Sequence, residues 1–114
     1  MEDCIFCKII QGEIPSKKVY ENSKIYAFYD IKPEAPVHVL IVPKEHIASH
    51  NELNEGNVDI MKDIHLVANE IAKQLGISEN GYRLINNCGP DAGQTVFHLH
   101  YHLVGGRSMG TTIL

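Results

Sequence analysis

The sequence predicts an α+β domain: an antiparallel sheet of about five strands with one long and one short helix. Three observations carry this. Apolar residues recur every three or four positions in one long stretch only, between Val58 and Leu75, where Met61, Ile64, Val67 or Ala68, Ile71 and Leu75 would share a face. Elsewhere the apolar residues fall in short runs rich in β-branched and aromatic side chains, joined by connections of hairpin length, which favours antiparallel over parallel pairing. With 114 residues, 44% of them hydrophobic, the chain is long enough for one core and too short for two. A single domain over residues 1–114 is expected, its core spanning about 4–107 and its tail 108–114.

The elements follow in order. In CIFCKIIQG, Ile5, Phe6, Ile9 and Ile10 have the spacing of a short helix ending near Gly12, and Pro15 then turns the chain. KKVYE and KIYAFYDI read as two strands joined at Asn22-Ser23. KPEAP is a loop, and Val37 to Val42 forms a third strand stopped by Pro43, with His38 inside it. Asn57 and Asp59 are the cap candidates for the long helix, and Gly76 is its C-terminal stop. GYRLINN is a fourth strand, CGPDAGQT a turn-rich loop, and HLHYHLV a fifth strand running from His98 to about Val104, where Gly105-Gly106 ends it.

Composition excludes several classes of function. Ten basic against fourteen acidic residues give a net charge of −4, which leaves no broad cationic surface for nucleic acid or anionic lipid. No apolar stretch has membrane-spanning length, and MEDCIFCKII lacks the order of a secretory signal. Three cysteines, Cys4 and Cys7 as a C-x-x-C pair and Cys88 alone, fit reduced or metal-bound thiols, so a cytoplasmic protein is expected.

The chemistry concentrates in HLHYHLV. Side chains alternate along a strand, so His98, His100 and His102 project to one side and Leu99, Tyr101 and Leu103 to the other. Such a row is a solvent-facing polar face, a set of metal ligands, or a catalytic group acting on an anion. Alternate positions lie about 7 Å apart, which suits a pair of ligands better than three on one ion. The preceding loop favours the third reading. Gly89 and Gly93 let backbone N–H groups approach a phosphate, with the side chains of Asn87, Gln94 and Thr95 beside them. A phosphate cradle next to imidazoles points to phosphoryl or nucleotidyl transfer through a phosphohistidine.

HLHYHLV, preceded by GQTVF and followed by GGR, resembles the histidine triad (HIT) superfamily. The match runs from CIFCKIIQGEIPSKKVYE through YAFYDIKPEAPVHVLIVPKEH to GGRSM, nearly the whole chain, and YDIKPEAPVH resembles the Hint branch. The resemblance implies homodimers whose sheets join into one. It implies a purine nucleotide ligand and cleavage of the P–N bond of nucleoside 5′-phosphoramidates or related adenylates. A dinucleoside polyphosphate hydrolase or nucleotidyltransferase, and a nucleotide-binding regulatory protein, are the alternatives.

Carried over by position, His100 is the nucleophile that takes the nucleotide covalently, His102 holds a phosphate oxygen and supports the leaving group, and His38 is a fourth histidine within reach. Asn87, Gly93, Gln94, Thr95 and Val96 match phosphate-side positions. Asp30 matches the acceptor of both ribose hydroxyls. Ile5, Phe6, Ile9, Phe28, Tyr29, Ile31 and Leu40 match the pocket around the base, although from sequence alone they read as core. Cys4-x-x-Cys7 needs two further ligands to hold zinc. The resemblance supplies them as His46, from Pro43-Lys44-Glu45-His46, and His98, so a structural zinc is expected, with His98 fixing the strand that presents His100. His50 reads as a surface residue, with a substitute place for His46 as its alternative; His65 in the long helix faces solvent or the dimer and takes no role, and Cys88 reads as a loop residue.

Overall fold

The computed structural model describes residues 3–114. Five strands make one antiparallel sheet: β1 (Lys18–Glu21), β2 (Ile25–Tyr29), β3 (Val37–Pro43), β4 (Tyr82–Ile85) and β5 (Tyr101–Gly105), in the order β1-β2-β3-β5-β4. A short helix α1 (Ile5–Ile10) precedes them, and the long helix α2 (Ile60–Gln74) lies between β3 and β4. The chain folds as a single α+β domain, as its patterning predicts.

Strand periodicity decides which face does what. Ile25 and Ala27 of β2, Val39 and Ile41 of β3, and Tyr101 and Leu103 of β5 point one way, into a core closed by Ile60, Ile64, Val67, Ala68, Ile71 and Ala72 of α2. Their alternates, Tyr26, Phe28, Leu40 and Val42, point the other way and are covered by Phe6, Cys7 and Ile9 of α1. Helix α1 has only six residues and covers only part of that second face. The uncovered part carries Asp30, His38 and His102, so α2 supports the sheet from behind while the chemistry lies in front.

Two local expectations are corrected. Neither cap candidate caps α2: Asp59 occupies the N-cap position without a side-chain bond to the helix, and the Asn57 amide oxygen accepts instead from the Asn54 N–H at 2.8 Å. The helix closes as expected, with Gly76 at φ 73°, a conformation that glycine adopts without a Cβ penalty. The histidine strand is shorter than its sequence suggests. Pairing of β3 with β5 stops at Ile41 with Tyr101, so His98 and His100 precede the ladder. Pro43 has no N–H to continue pairing, its carbonyl meets the His98 ring, and the Leu99 N–H turns to the Ile47 carbonyl at 2.6 Å. The alternation survives this departure: Leu99 is fully buried in the α2-side core, while His98 and His100 face the other way.

Candidate functional site

All three triad histidines are withdrawn from solvent to some degree. His98 is fully buried, His100 is buried and His102 is half-buried, which removes the solvent-facing polar row as an explanation. Their hydrogen bonds assign a separate task to each ring.

His100 donates from Nδ1 to the backbone carbonyl of His98 at 2.7 Å. Nε2 therefore keeps its lone pair, the form that a nitrogen nucleophile needs. Phe6 stacks edge-on against the ring at 5.0 Å between centroids, and Asn86 donates its side-chain amide to the His100 carbonyl at 3.0 Å. Burial lowers the His100 pKa, opposed by its bond to the His98 carbonyl and by the charge of Asp30, so the ring is neutral at pH 7.

His38 sets the tautomer of His102. The Glu34 N–H donates to His38 Nδ1 at 3.0 Å, which puts the His38 proton on Nε2. That proton points to His102 Nδ1 at 2.9 Å, and an Asp30 carboxylate oxygen lies 3.5 Å from His38 Nε2. His102 accepts on Nδ1 and must carry its own proton on Nε2, so it presents a donor. Burial, reinforced by His100 and His38, pushes His102 down to about 4 and keeps it neutral. The same logic decides against a cation among Asp30, His38 and His102, although their ligand atoms cluster. His38 cannot offer a lone pair on Nε2 while Nδ1 accepts from Glu34.

A cavity of about 700 Å³ opens beside this group, lined among others by Ile9, Ser16, Phe28, Tyr29, Asp30, Ile31 and His38. Ile31 is 92% exposed and stands at its rim. Phe6 and Leu40 are buried in the cluster beneath it. One Asp30 oxygen accepts from the Lys32 N–H at 2.8 Å, an Asx-type turn that fixes the carboxylate. A second cavity, of about 420 Å³, joins His38 and His102 to Asn87, Arg83, Arg107 and the tail residues Met109 and Thr112. Ile5, Thr95 and Val96 line a further cavity with Cys4, His46 and Phe97, and Val96 packs against the cluster of Phe6, Phe28 and Leu40.

The glycine loop has an internal fastener. Gln94 is buried; its amide oxygen accepts from the Gly89 N–H at 2.8 Å, and its amide nitrogen donates to the Ala48 and Val96 carbonyls at 3.0 Å each. The backbone N–H groups of Gly93 and Gln94 are also consumed, by the Pro90 and Gly89 carbonyls. Gln94 therefore shapes the loop from inside, its side chain bonded to the backbone on both sides. Gly89 and Gly93 adopt φ of 87° and 84°, which explains why glycine stands at both. Thr95 is exposed, and among the described residues its N–H and hydroxyl make no internal hydrogen bond.

Behind His100 stands the cysteine group. Cys4, Cys7, His46 and His98 offer four ligand atoms within 4.8 Å of one another, an arrangement that could hold a metal ion. Cys4 Sγ to His98 Nδ1 is 3.3 Å, Cys7 Sγ to His46 Nδ1 3.4 Å, Cys7 Sγ to His98 Nδ1 3.6 Å, and the two nitrogens are 3.2 Å apart. His98 donates from Nε2 to the Pro43 carbonyl at 2.8 Å, which directs the Nδ1 lone pair into the cluster. Cys4 caps α1, its sulfur accepting from the Cys7 N–H at 3.3 Å. Burial, with Cys4 adding to it, raises the Cys7 thiol, so a cation at the centre is what would hold the Cys7 sulfur as a thiolate.

Three participants escaped the sequence: Asn86, the Pro43 carbonyl, and a Ser16–Tyr26 hydroxyl pair at 2.7 Å beside the larger cavity. Each acts through a contact between segments distant in sequence or through an ordinary polar residue, so no motif announces it.

Comparison with known proteins accords with this geometry. The HIT domain family model matches residues 11–109. The chain is 46% identical over 109 residues to the purine nucleoside phosphoramidase of Escherichia coli (strain K12), covering 96% of this chain and 92% of that protein. Among solved structures, a HIT family hydrolase from Clostridium thermocellum is 61% identical with a TM-score of 0.99, covering 100% of this chain and 99% of that one. A histidine triad protein from Clostridium difficile is 50% identical with a TM-score of 0.95, covering 98% of this chain and 97% of that one. The chain is a member of the HIT domain family.

Proposed function

We propose that the protein hydrolyses the P–N bond of purine nucleoside 5′-phosphoramidates through a nucleotide carried on His100. The observation that carries this is the pairing of two neutral imidazoles with opposite roles: His100 with a free Nε2 lone pair, and His102 with an Nε2–H donor, their rings 5.1 Å apart. Similarity to a protein named purine nucleoside phosphoramidase supports the leaving-group class. His100 Nε2 attacks phosphorus, the P–N bond breaks, and the leaving nitrogen takes a proton from solvent, which the attacking water gives back in the second step. The positive charge that develops on the His100 ring is stabilised through Nδ1–H by the His98 carbonyl. Water then cleaves the phosphorus–Nε2 bond and releases the nucleoside monophosphate. His102 donates to a phosphate oxygen in both steps, Thr95 and Asn87 supply further polar contacts, and Asp30 receives the ribose hydroxyls.

We read the cysteine group as a structural zinc centre. For Zn–S of about 2.3 Å and Zn–N of about 2.0–2.1 Å, a tetrahedron has N–N and N–S edges of about 3.3–3.6 Å, close to the separations of these four atoms. A closed Cys2His2 shell supplies rigidity and no open coordination position. A homodimer is the assembly we favour. The sheet ends on β4, an edge strand with one free side, and Leu66 on α2 is 59% exposed. No helix among the described residues is long and apolar enough to cross a membrane.

A substrate panel tests the reaction. Adenosine 5′-phosphoramidate should release AMP faster than diadenosine polyphosphates do; the reverse order would favour the dinucleotide hydrolase. AMP binding with no turnover of any activated adenylate would favour a regulatory protein. Asp30→Asn should raise KM for the ribonucleoside substrate by about tenfold while changing its 2′-deoxy analogue less, because one carboxylate–hydroxyl bond is lost. Equal effects on both would remove Asp30 from the ribose.

A further inference from the structure

The aromatic surface beside His100 leads away from the chemistry to a polar stop. Phe6 contacts His100 at 5.0 Å, Phe28 lies 5.6 Å from Phe6, and Tyr26 lies 5.8 Å from Phe28, all measured between ring centroids. Tyr26, Phe28 and Asp30 are alternate residues of β2 and its extended continuation, so they share a face, with about 6.6 Å between successive members. A nucleotide with phosphorus at His100 and ribose at Asp30 directs its base over Phe28 toward Tyr26. Rings and aliphatic side chains there accept any base.

At that end the wall changes chemistry. Ser16 lines the cavity, and its hydroxyl meets the Tyr26 hydroxyl at 2.7 Å. Two hydroxyls hold two protons, and their mutual bond uses one. Among the described residues neither oxygen has another partner, so one O–H and unused lone pairs remain for a ligand. Tyr26 is buried and Ser16 half-buried, which anchors the pair while leaving Ser16 toward the cavity. Lys17 also lines the cavity, but it is exposed and lacks such an anchor.

We propose that the Ser16–Tyr26 hydroxyl pair reads the 6-substituent of a purine, making Ser16 a specificity-determining residue. A hydroxyl pair that both donates and accepts suits the amino group of adenine and the oxo group of guanine equally. It selects 6-substituted purines over bases that place no polar atom there. This inference rests on the nucleotide reading of the cavity and deepens it.

The experiment compares Ser16→Ala and Ser16→Thr with the parent chain on the 5′-phosphoramidates of adenosine, guanosine and purine riboside, the last lacking a 6-substituent. Calorimetric binding of AMP and purine riboside 5′-monophosphate is measured alongside. For Ser16→Ala the ratio of KM for adenosine to that for purine riboside should rise by about three- to tenfold, with guanosine following adenosine, and Kd ratios should move in parallel. Ser16→Thr, which keeps the hydroxyl, should restore both ratios. Tyr26→Phe should shift them in the same direction by less, since Ser16 keeps its own O–H. Ratios unchanged in Ser16→Ala, or unrestored by threonine, overturn the assignment. If the parent chain turns over none of the substrates, the proposed reaction fails, and the binding ratios alone decide whether Ser16 reads the base.

Discussion

His100→Ala should lower kcat/KM for adenosine 5′-phosphoramidate by about 10³-fold or more, while the chain folds and binds AMP within an order of magnitude of the parent. The size follows from covalent catalysis: without Nε2, water must attack the phosphoramidate directly, and the donors around phosphate supply only the remaining rate enhancement. The fold should survive because His100 lies outside the strand ladder, in front of the sheet, where its loss removes an edge contact with Phe6 and leaves the α2-side core intact. Circular dichroism and AMP calorimetry on the variant separate loss of chemistry from loss of structure. Hydrolysis at near-parental rates would mean that another group attacks phosphorus.

Loss of the cysteine group should be the largest stability effect in the chain. Protein purified without added metal should contain about one zinc per chain, and a Cys4→Ser, Cys7→Ser double variant should contain none. Its melting temperature should fall by on the order of 10 °C, corresponding to about 3 kcal/mol or more, because the four clustered residues come from three separate segments that a bound ion would join: the start of α1, the stretch after β3, and the approach to β5. Activity should fall with it, since the His98 carbonyl orients His100. Metal-free protein in which Cys4 and Cys7 are freely alkylated, with parental stability, would reduce the cluster to packed thiols.

What the sequence could reveal depended on the range of the interaction. Period-two alternation in HLHYHLV assigned Leu99, Tyr101 and Leu103 to the core, and that holds even though Leu99 lies outside the ladder. The three-to-four spacing of α2 and its glycine stop were legible for the same reason: local geometry fixes them. The start of β5 was not legible, because it depends on Pro43, an element away, withholding an N–H. Nor was the role of Gln94, whose bonds reach back to Ala48 across the fold. The histidine tautomers depend on partners as distant as Pro43 and Glu34, so sequence identifies the imidazoles without saying which nitrogen is free. The C-x-x-C pair behaves in between: its spacing brings two sulfurs together at a helix start, and only the fold delivers His46 and His98 to them.

A nucleotide carried on His100 can be trapped covalently. The parent chain is mixed with a slowly hydrolysed adenosine phosphoramidate, quenched at high pH, where a phosphorus–imidazole bond survives, and digested for mass spectrometry. One added adenylyl group is expected on His100, lost on brief acid treatment and absent from His100→Ala. An adduct on His98, His102 or His38 instead, or turnover of the same substrate with no adduct under conditions where its breakdown is rate-limiting, would contradict a nucleotide carried on His100.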